Sequence, residues 1–187
     1  MFSVAADARN LLGECPIWCE RTRRIYWTDI EGSELLALEE DTSVVMRWSL
    51  PERLGSFALT ENPDVLLMGL ASRFAFCDLN TGTFMPIVAS PGGPGTRTGD
   101  GRCDREGNFV FGTMDDGYPA KVIGRFHRLN AATLSIETLP LPEVAIPNSI
   151  CFSPDGSTMY YCDSMQGRIM CCDYPSMNTV SYTHLTL

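Results

Sequence analysis

The sequence lacks the features that would send a chain to a membrane or a nucleic acid. No run approaches the roughly 18 apolar residues that a bilayer-spanning helix needs. The opening residues, Met1-Phe2-Ser3-Val4-Ala5-Ala6-Asp7, carry neither a basic start nor an apolar core of signal-peptide length, so secretion is not expected. Positive charge is scarce: Lys and Arg number 14 against 23 Asp and Glu, a net charge of −9. The longest basic stretch, Arg21 to Arg24, is interrupted by Thr22. A chain of that sign repels phosphate, which argues against nucleic acid and anionic membrane as partners. Only two histidines occur, His127 and His184, and there is no Cys-x-x-Cys pair and no Gly-x-Ser-x-Gly elbow. A cysteine-rich zinc site and a Ser-His-Asp triad therefore lack their parts. The eight cysteines (15, 19, 77, 103, 151, 162, 171 and 172) are scattered through apolar runs. They read as free thiols, buried or half-buried, in a reducing cytoplasm.

A sustained helical period is also missing. With 44% hydrophobic and 20% charged residues in 187, the chain has the composition of a soluble globular domain. Its recurring unit is a short β-like run followed by turn residues. Second strands are expected at Arg24–Ile30, Val65–Leu70, Asn108–Met114 and Thr158–Asp163. Third strands follow at Glu34–Leu38, Arg73–Cys77, Gly124–Leu129 and Gly167–Cys172, and fourth strands at Val44–Trp48, Thr83–Val88 and Ser135–Leu139. First strands open near Glu14, Gly55, Asp100 and Asn148, spaced 41, 45 and 48 residues apart. A four-strand cycle of that length is the period of a β-propeller blade. The expected fold is all-β, a propeller of four-stranded antiparallel blades. In a propeller the first strand of every blade lines one central channel. Glu14, Asp100 and Asn148 would then converge at its mouth, as donors to a divalent cation or as polar residues that cap strands. Trp18, Trp27 and Trp48 fall at strand positions and are expected to pack in or between blades, and Cys15 beside Glu14 is expected to pack.

Four motifs in order carry a family resemblance. Leu12-Gly-Glu-Cys-Pro-Ile-Trp18 resembles the LGEGPxW opening of the gluconolactonase, regucalcin and senescence marker protein family, and Ile25-Tyr-Trp-Thr-Asp-Ile30 is similar to the LYWVDI that follows there. Arg97-Thr-Gly-Asp-Gly-Arg-Cys-Asp104 with Gly107 to Met114 resembles its RxNDGxxDxxGxxxxGTM block. Pro147 to Gly156 with Tyr160 to Ser164 resembles xNGLxxSPDGxxxYxxDS. The resemblance implies a six-bladed propeller that hydrolyses sugar lactones with one divalent metal ion, calcium, zinc or manganese. It implies that Glu14 and Asn148 bind the metal and that Arg97 binds the lactone. Gly99 stands where the family has asparagine, so that either the substrate preference is altered or Asp100 reaches further into the site to meet the substrate. The family's acidic substrate contact after GTM has no aligned match, although Asp115 and Asp116 lie nearby. Asp104, Asp155 and Asp163 read as turn or packing residues.

The family's catalytic aspartate belongs to a later blade. The chain is therefore expected to be a single partial propeller domain over residues 1–187, about four of six blades, and inactive alone. Residues 180–187 break the blade pattern and are expected to be non-native. A calcium-binding regulatory propeller without lactonase activity is the alternative; a purely structural module is a third.

Overall fold

A computed structural model describes residues 3–42 and 44–174. Every regular element among them is a β-strand, and the strands form four antiparallel sheets arranged as propeller blades. The first sheet is β1 (Gly13–Cys19), β2 (Arg24–Asp29), β3 (Glu34–Glu39) and β4 (Val45–Ser49). The second is β5 (Leu54–Leu59), β6 (Val65–Leu70), β7 (Arg73–Asp78) and β8 (Thr83–Ala89). The third is β9 (Thr96–Cys103), β10 (Phe109–Asp115), β11 (Arg125–Leu129) and β12 (Ile136–Thr138). The fourth has three described strands, β13 (Pro147–Phe152), β14 (Thr158–Asp163) and β15 (Arg168–Asp173). Each sheet runs in simple sequence order. The all-β propeller expectation holds. Strand bounds agree with the periodic reading to within about a residue, apart from β9, which begins four residues before Asp100, and β12, which is three residues long. The expected tail, residues 180–187, lies outside the described residues.

The core lies between sheets. Tyr26, Leu35 and Ala37 of the first sheet pack with Leu54, Phe57, Leu66 and Met68 of the second. Leu67 and Phe74 of the second meet Phe109, Phe111 and Leu129 of the third. Val110 and Phe126 of the third meet Phe152, Met159 and Tyr161 of the fourth. A sheet covered on both faces needs apolar residues at every position. That is why β6, Val-Leu-Leu-Met-Gly-Leu, is nearly continuous in both hydrophobicity and burial.

Where only one face is covered, alternation decides. Ile17 packs into the core, so its neighbour Trp18 points the other way and is 44% exposed. The packing role expected of Trp18 is thus corrected. Trp48 does bridge blades, donating to the Leu79 carbonyl at 3.0 Å. All eight cysteines are free thiols, but Cys151 and Cys171 are exposed. Their strand neighbours Ile150, Phe152, Met170 and Cys172 take the covered face, which corrects the expectation that every thiol is at least half-buried.

Buried hydroxyls join neighbouring blades near their inner strands. Thr28 Oγ1 donates to the Leu54 carbonyl at 2.9 Å, and Ser56 Oγ to the Gly99 carbonyl at 2.8 Å. Thr98 Oγ1 lies 2.8 and 2.9 Å from the carbonyls of Gly69 and Leu70. The approach is so close that a Cβ on Gly55 would come within 2.5 Å of the Thr98 carbonyl oxygen. Carboxylates then fix where two innermost strands begin. Asp29 accepts from the N–H groups of Leu11 and Leu12, both at 2.9 Å, ahead of β1. Asp163 accepts from those of Ala145 and Ile146 at 3.0 and 3.1 Å, ahead of β13. Burial opposes both charges, yet the backbone donors outweigh it and hold both carboxyls below their ordinary pKa. Asp104 and Asp155 also play the expected local roles. Asp104 accepts from Asn108 and from the Tyr174 hydroxyl, and Asp155 from Ser153 and Ser157.

All four innermost strands carry a register shift. Opposite β2, three steps from Glu14 to Ile17 match two from Thr28 to Tyr26. The same occurs from Thr98 to Gly101 on β9 and from Asn148 to Cys151 on β13, while on β5 the extra residue lies between Leu54 and Ser56. These are β-bulges, which re-aim side chains. Two of them put a non-glycine residue at left-handed φ, Cys15 at 55° and Ser149 at 60°.

Two outcomes are expected. His127 is buried, shares hydrogen bonds with Thr113 and Thr138 at 3.0 and 3.1 Å, and burial holds its pKa down to about 4. Between its ordinary 6.5 and about 4 the unfolded chain binds more protons, so stability is lost as pH drops through that window, by up to about 3 kcal/mol. In urea denaturation, the wild-type advantage over His127→Gln should shrink from pH 7 to pH 4.5; a constant difference contradicts this. Ser149→Gly should raise unfolding free energy by about 1 kcal/mol, because glycine adopts positive φ without steric cost.

Candidate active site

The bulges bring sequence-distant side chains to one cavity of about 280 Å³. Glu14 comes from β1, Arg97 and Asp100 from β9, and Asn148 from β13. Gly55, Gly99, Met114 and Ser164 contribute to the same wall. All four residues singled out from the sequence therefore meet.

Their electrostatics are those of a site short of positive charge. Burial raises the Glu14 carboxyl above its ordinary pKa, and the charge of Asp100 raises it further. Burial also raises Asp100, against the pull of the Ile150 N–H and of Arg102. One Asp100 oxygen is already engaged, since Oδ2 accepts from the Ile150 N–H at 3.0 Å. Asn148 donates its amide N–H to Ser164 Oγ at 2.8 Å, which leaves its carbonyl oxygen as the group it can offer. Two carboxylates and an amide oxygen are hard donors of the kind a divalent cation takes. Among the described residues no three His, Cys, Asp or Glu side chains stand together as a metal centre. By donor chemistry the two carboxylates and the amide oxygen fit a hard cation, but they make up only part of the roughly six to eight oxygens such an ion takes.

Arg97 is the cationic wall of the cavity. Its side chain is 12% exposed. Nη1 donates to the Thr98 carbonyl at 3.1 Å, and Nε lies 3.7 Å from Asp116 Oδ1. Burial, then Arg53, lower its pKa, but a guanidinium keeps its charge in a protein. A planar fork with free N–H groups suits carbonyl and hydroxyl oxygens. Asp116, unaligned in the sequence, proves to be the carboxylate beside Arg97. Only its place just after Gly-Thr-Met hinted at this, because the β10–β11 connection is irregular and its path is set by the fold. Asp115 shapes that connection, accepting from the N–H groups of Gly117 and Lys121 at 3.2 and 2.9 Å.

Cysteine and histidine chemistry finds no footing here. Burial pushes the Cys15 thiol up to about 11, which keeps it protonated and poorly nucleophilic. His127 lies between two threonines in β10 and β12.

Comparison with known proteins gives the family and the fold. The family described as the SMP-30/Gluconolactonase/LRE-like region matches residues 12–186. An L-arabinolactonase of Azospirillum brasilense is 53% identical over 92% of this chain and 57% of its own length. A 6-deoxy-6-sulfogluconolactonase of Pseudomonas putida is 30% identical over 83% of this chain and 52% of its own. The crystal structure of regucalcin, a calcium-binding protein from Agrobacterium tumefaciens, superposes with a TM-score of 0.81 at 28% identity, covering 89% of this chain and 55% of that one. The chain spans about half the length of the curated relatives it matches. With motifs, blades and cavity in agreement, the chain belongs to the SMP-30/gluconolactonase/LRE-like family.

Proposed function

We propose that the whole protein hydrolyses a sugar lactone to its aldonic acid, with Glu14 and Asn148 as metal ligands and Arg97 and Asp100 as substrate contacts. The observation that carries this reading is the convergence of Glu14, Arg97, Asp100 and Asn148 on one cavity in a chain 53% identical to a protein named L-arabinolactonase. A five-carbon aldonolactone is therefore the substrate to try first.

A lactone is a cyclic ester, so hydrolysis needs an activated water and stabilisation of the former carbonyl oxygen. A divalent cation held by Glu14 and Asn148, whether calcium, zinc or manganese, supplies Lewis acidity and offsets the charge of the two carboxylates. Arg97 orients the sugar through its guanidinium fork. Asp100 accepts hydrogen bonds from sugar hydroxyls. The carboxylate that takes the proton from water is the aspartate that the resemblance assigns to a later blade, outside this chain. Free thiols throughout support a reducing, cytoplasmic setting.

Similarity to calcium-binding regucalcin favours a second reading, a regulatory propeller that binds calcium and hydrolyses nothing. Assay of the whole protein on a panel of aldonolactones, with each of the three cations, separates the two. The lactonase reading expects turnover, abolished by Glu14→Gln; calcium binding with every lactone untouched would sink it.

Three further outcomes are expected. By calorimetry, Glu14→Gln weakens cation binding at least tenfold, roughly the scale of losing a metal-site interaction. Wild-type binding weakens as pH falls through the raised range of Glu14, because the proton competes with the cation for the same carboxylate. Gly99→Asn should fold normally, since a Cβ there meets nothing closer than 3.8 Å, and should change the ranking of lactones by KM; an unchanged ranking would show that residue 99 does not touch the substrate.

A further inference from the structure

Four charged groups from three blades form a chain that ends at Arg97 on the cavity wall. Glu31 follows β2, Arg53 precedes β5, Asp116 follows β10, and Arg97 lies on β9. Arg53 Nη1 is 3.6 Å from Glu31, and Arg53 Nη2 donates to Asp116 Oδ2 at 2.5 Å. The other Asp116 oxygen, Oδ1, is 3.7 Å from Arg97 Nε, within ion-pair range but beyond a hydrogen bond. Asp116 thus attracts Arg97 without tying it down.

We propose that Arg53 is a positioning residue for Arg97, acting by occupying Asp116. A carboxylate with both oxygens free takes an arginine bidentately. Without Arg53, Asp116 would close onto Arg97 and draw its guanidinium off the cavity. With Arg53 in place, Asp116 is held by that arginine and the remaining Arg97 N–H groups face the cavity. Arg53 does not itself line that cavity, so it acts through Arg97 and touches no reacting atom. A partly exposed ion pair adds little to folding. Substitution here is therefore expected to leave stability intact, and Arg53→Met keeps the apolar stem.

This inference rests on the reading of Arg97 as a lactone contact, and the experiment separates the two. KM, kcat and thermal midpoint are measured for the whole protein on an aldonolactone that it hydrolyses. Arg53→Met should raise KM about tenfold, the scale of a misplaced binding group, with kcat within about twofold and the midpoint unchanged. Arg53→Lys should restore part of the loss. Arg53→Met combined with Asp116→Asn should return KM toward wild type, because Asn no longer captures Arg97. In an Arg97→Met background, Arg53→Met should have no further effect. An unchanged KM in Arg53→Met overturns the inference, as does a loss that Asp116→Asn fails to relieve or that adds fully to Arg97→Met. An unchanged KM in Arg97→Met overturns instead the reading of Arg97 as a substrate contact, and the inference with it.

Discussion

The structure depends on how closely the innermost strands approach one another. Where β1, β5, β9 and β13 meet, backbone carbonyls of one blade fall against the next, and an unpaired carbonyl buried there is costly. Ser56 on β5 meets such a carbonyl on β9, Thr28 on β2 meets one on β5, and Thr98 on β9 meets two on β6, each with a hydroxyl donor, while Gly55 leaves no atom in the way. The apolar layers between sheets supply the bulk of the burial. The hydroxyls and the glycine set the spacing, and the cavity inherits its dimensions from them.

A regular strand would alternate its side chains and pass the axis without gathering any. One extra residue in each innermost strand breaks that alternation at the cavity. Glu14, Asp100 and Asn148 are re-aimed toward one point at the expense of backbone strain, most plainly at Cys15 and Ser149. The charge of Asp100 opposes the ionisation of Glu14, so the apolar scaffold holds an unfavourable arrangement of charge at its centre. The surrounding blades over-determine that arrangement and keep it from relaxing.

Much of this was legible in the chain. Strand runs ended by turn residues fixed the blades almost residue by residue, because a two-residue side-chain period and Gly/Asp/Asn turns are local properties. Glu14, Asp100 and Asn148 were legible because they open the first strand at a constant place in the cycle, and Arg97 through the motif resemblance alone. Asp116 and Arg53 were not. They lie in connections, and their partners are 63 residues apart in the chain; no periodicity reports such a contact. Trp18, Cys151 and Cys171 look like core by residue type, yet which face of a strand is covered depends on the neighbouring sheet.

The sequence by itself determined the all-β class, the four-strand repeat, the family and the candidate ligands, since each rests on short-range pattern. The tertiary structure decided what no pattern encodes. It set the left-handed kinks beside Glu14 and Asn148, the charge of Asp100 that opposes Glu14, and the sharing of one carboxylate between Arg53 and Arg97. Those are distances between strands far apart in the chain, and only packing one sheet against the next creates them.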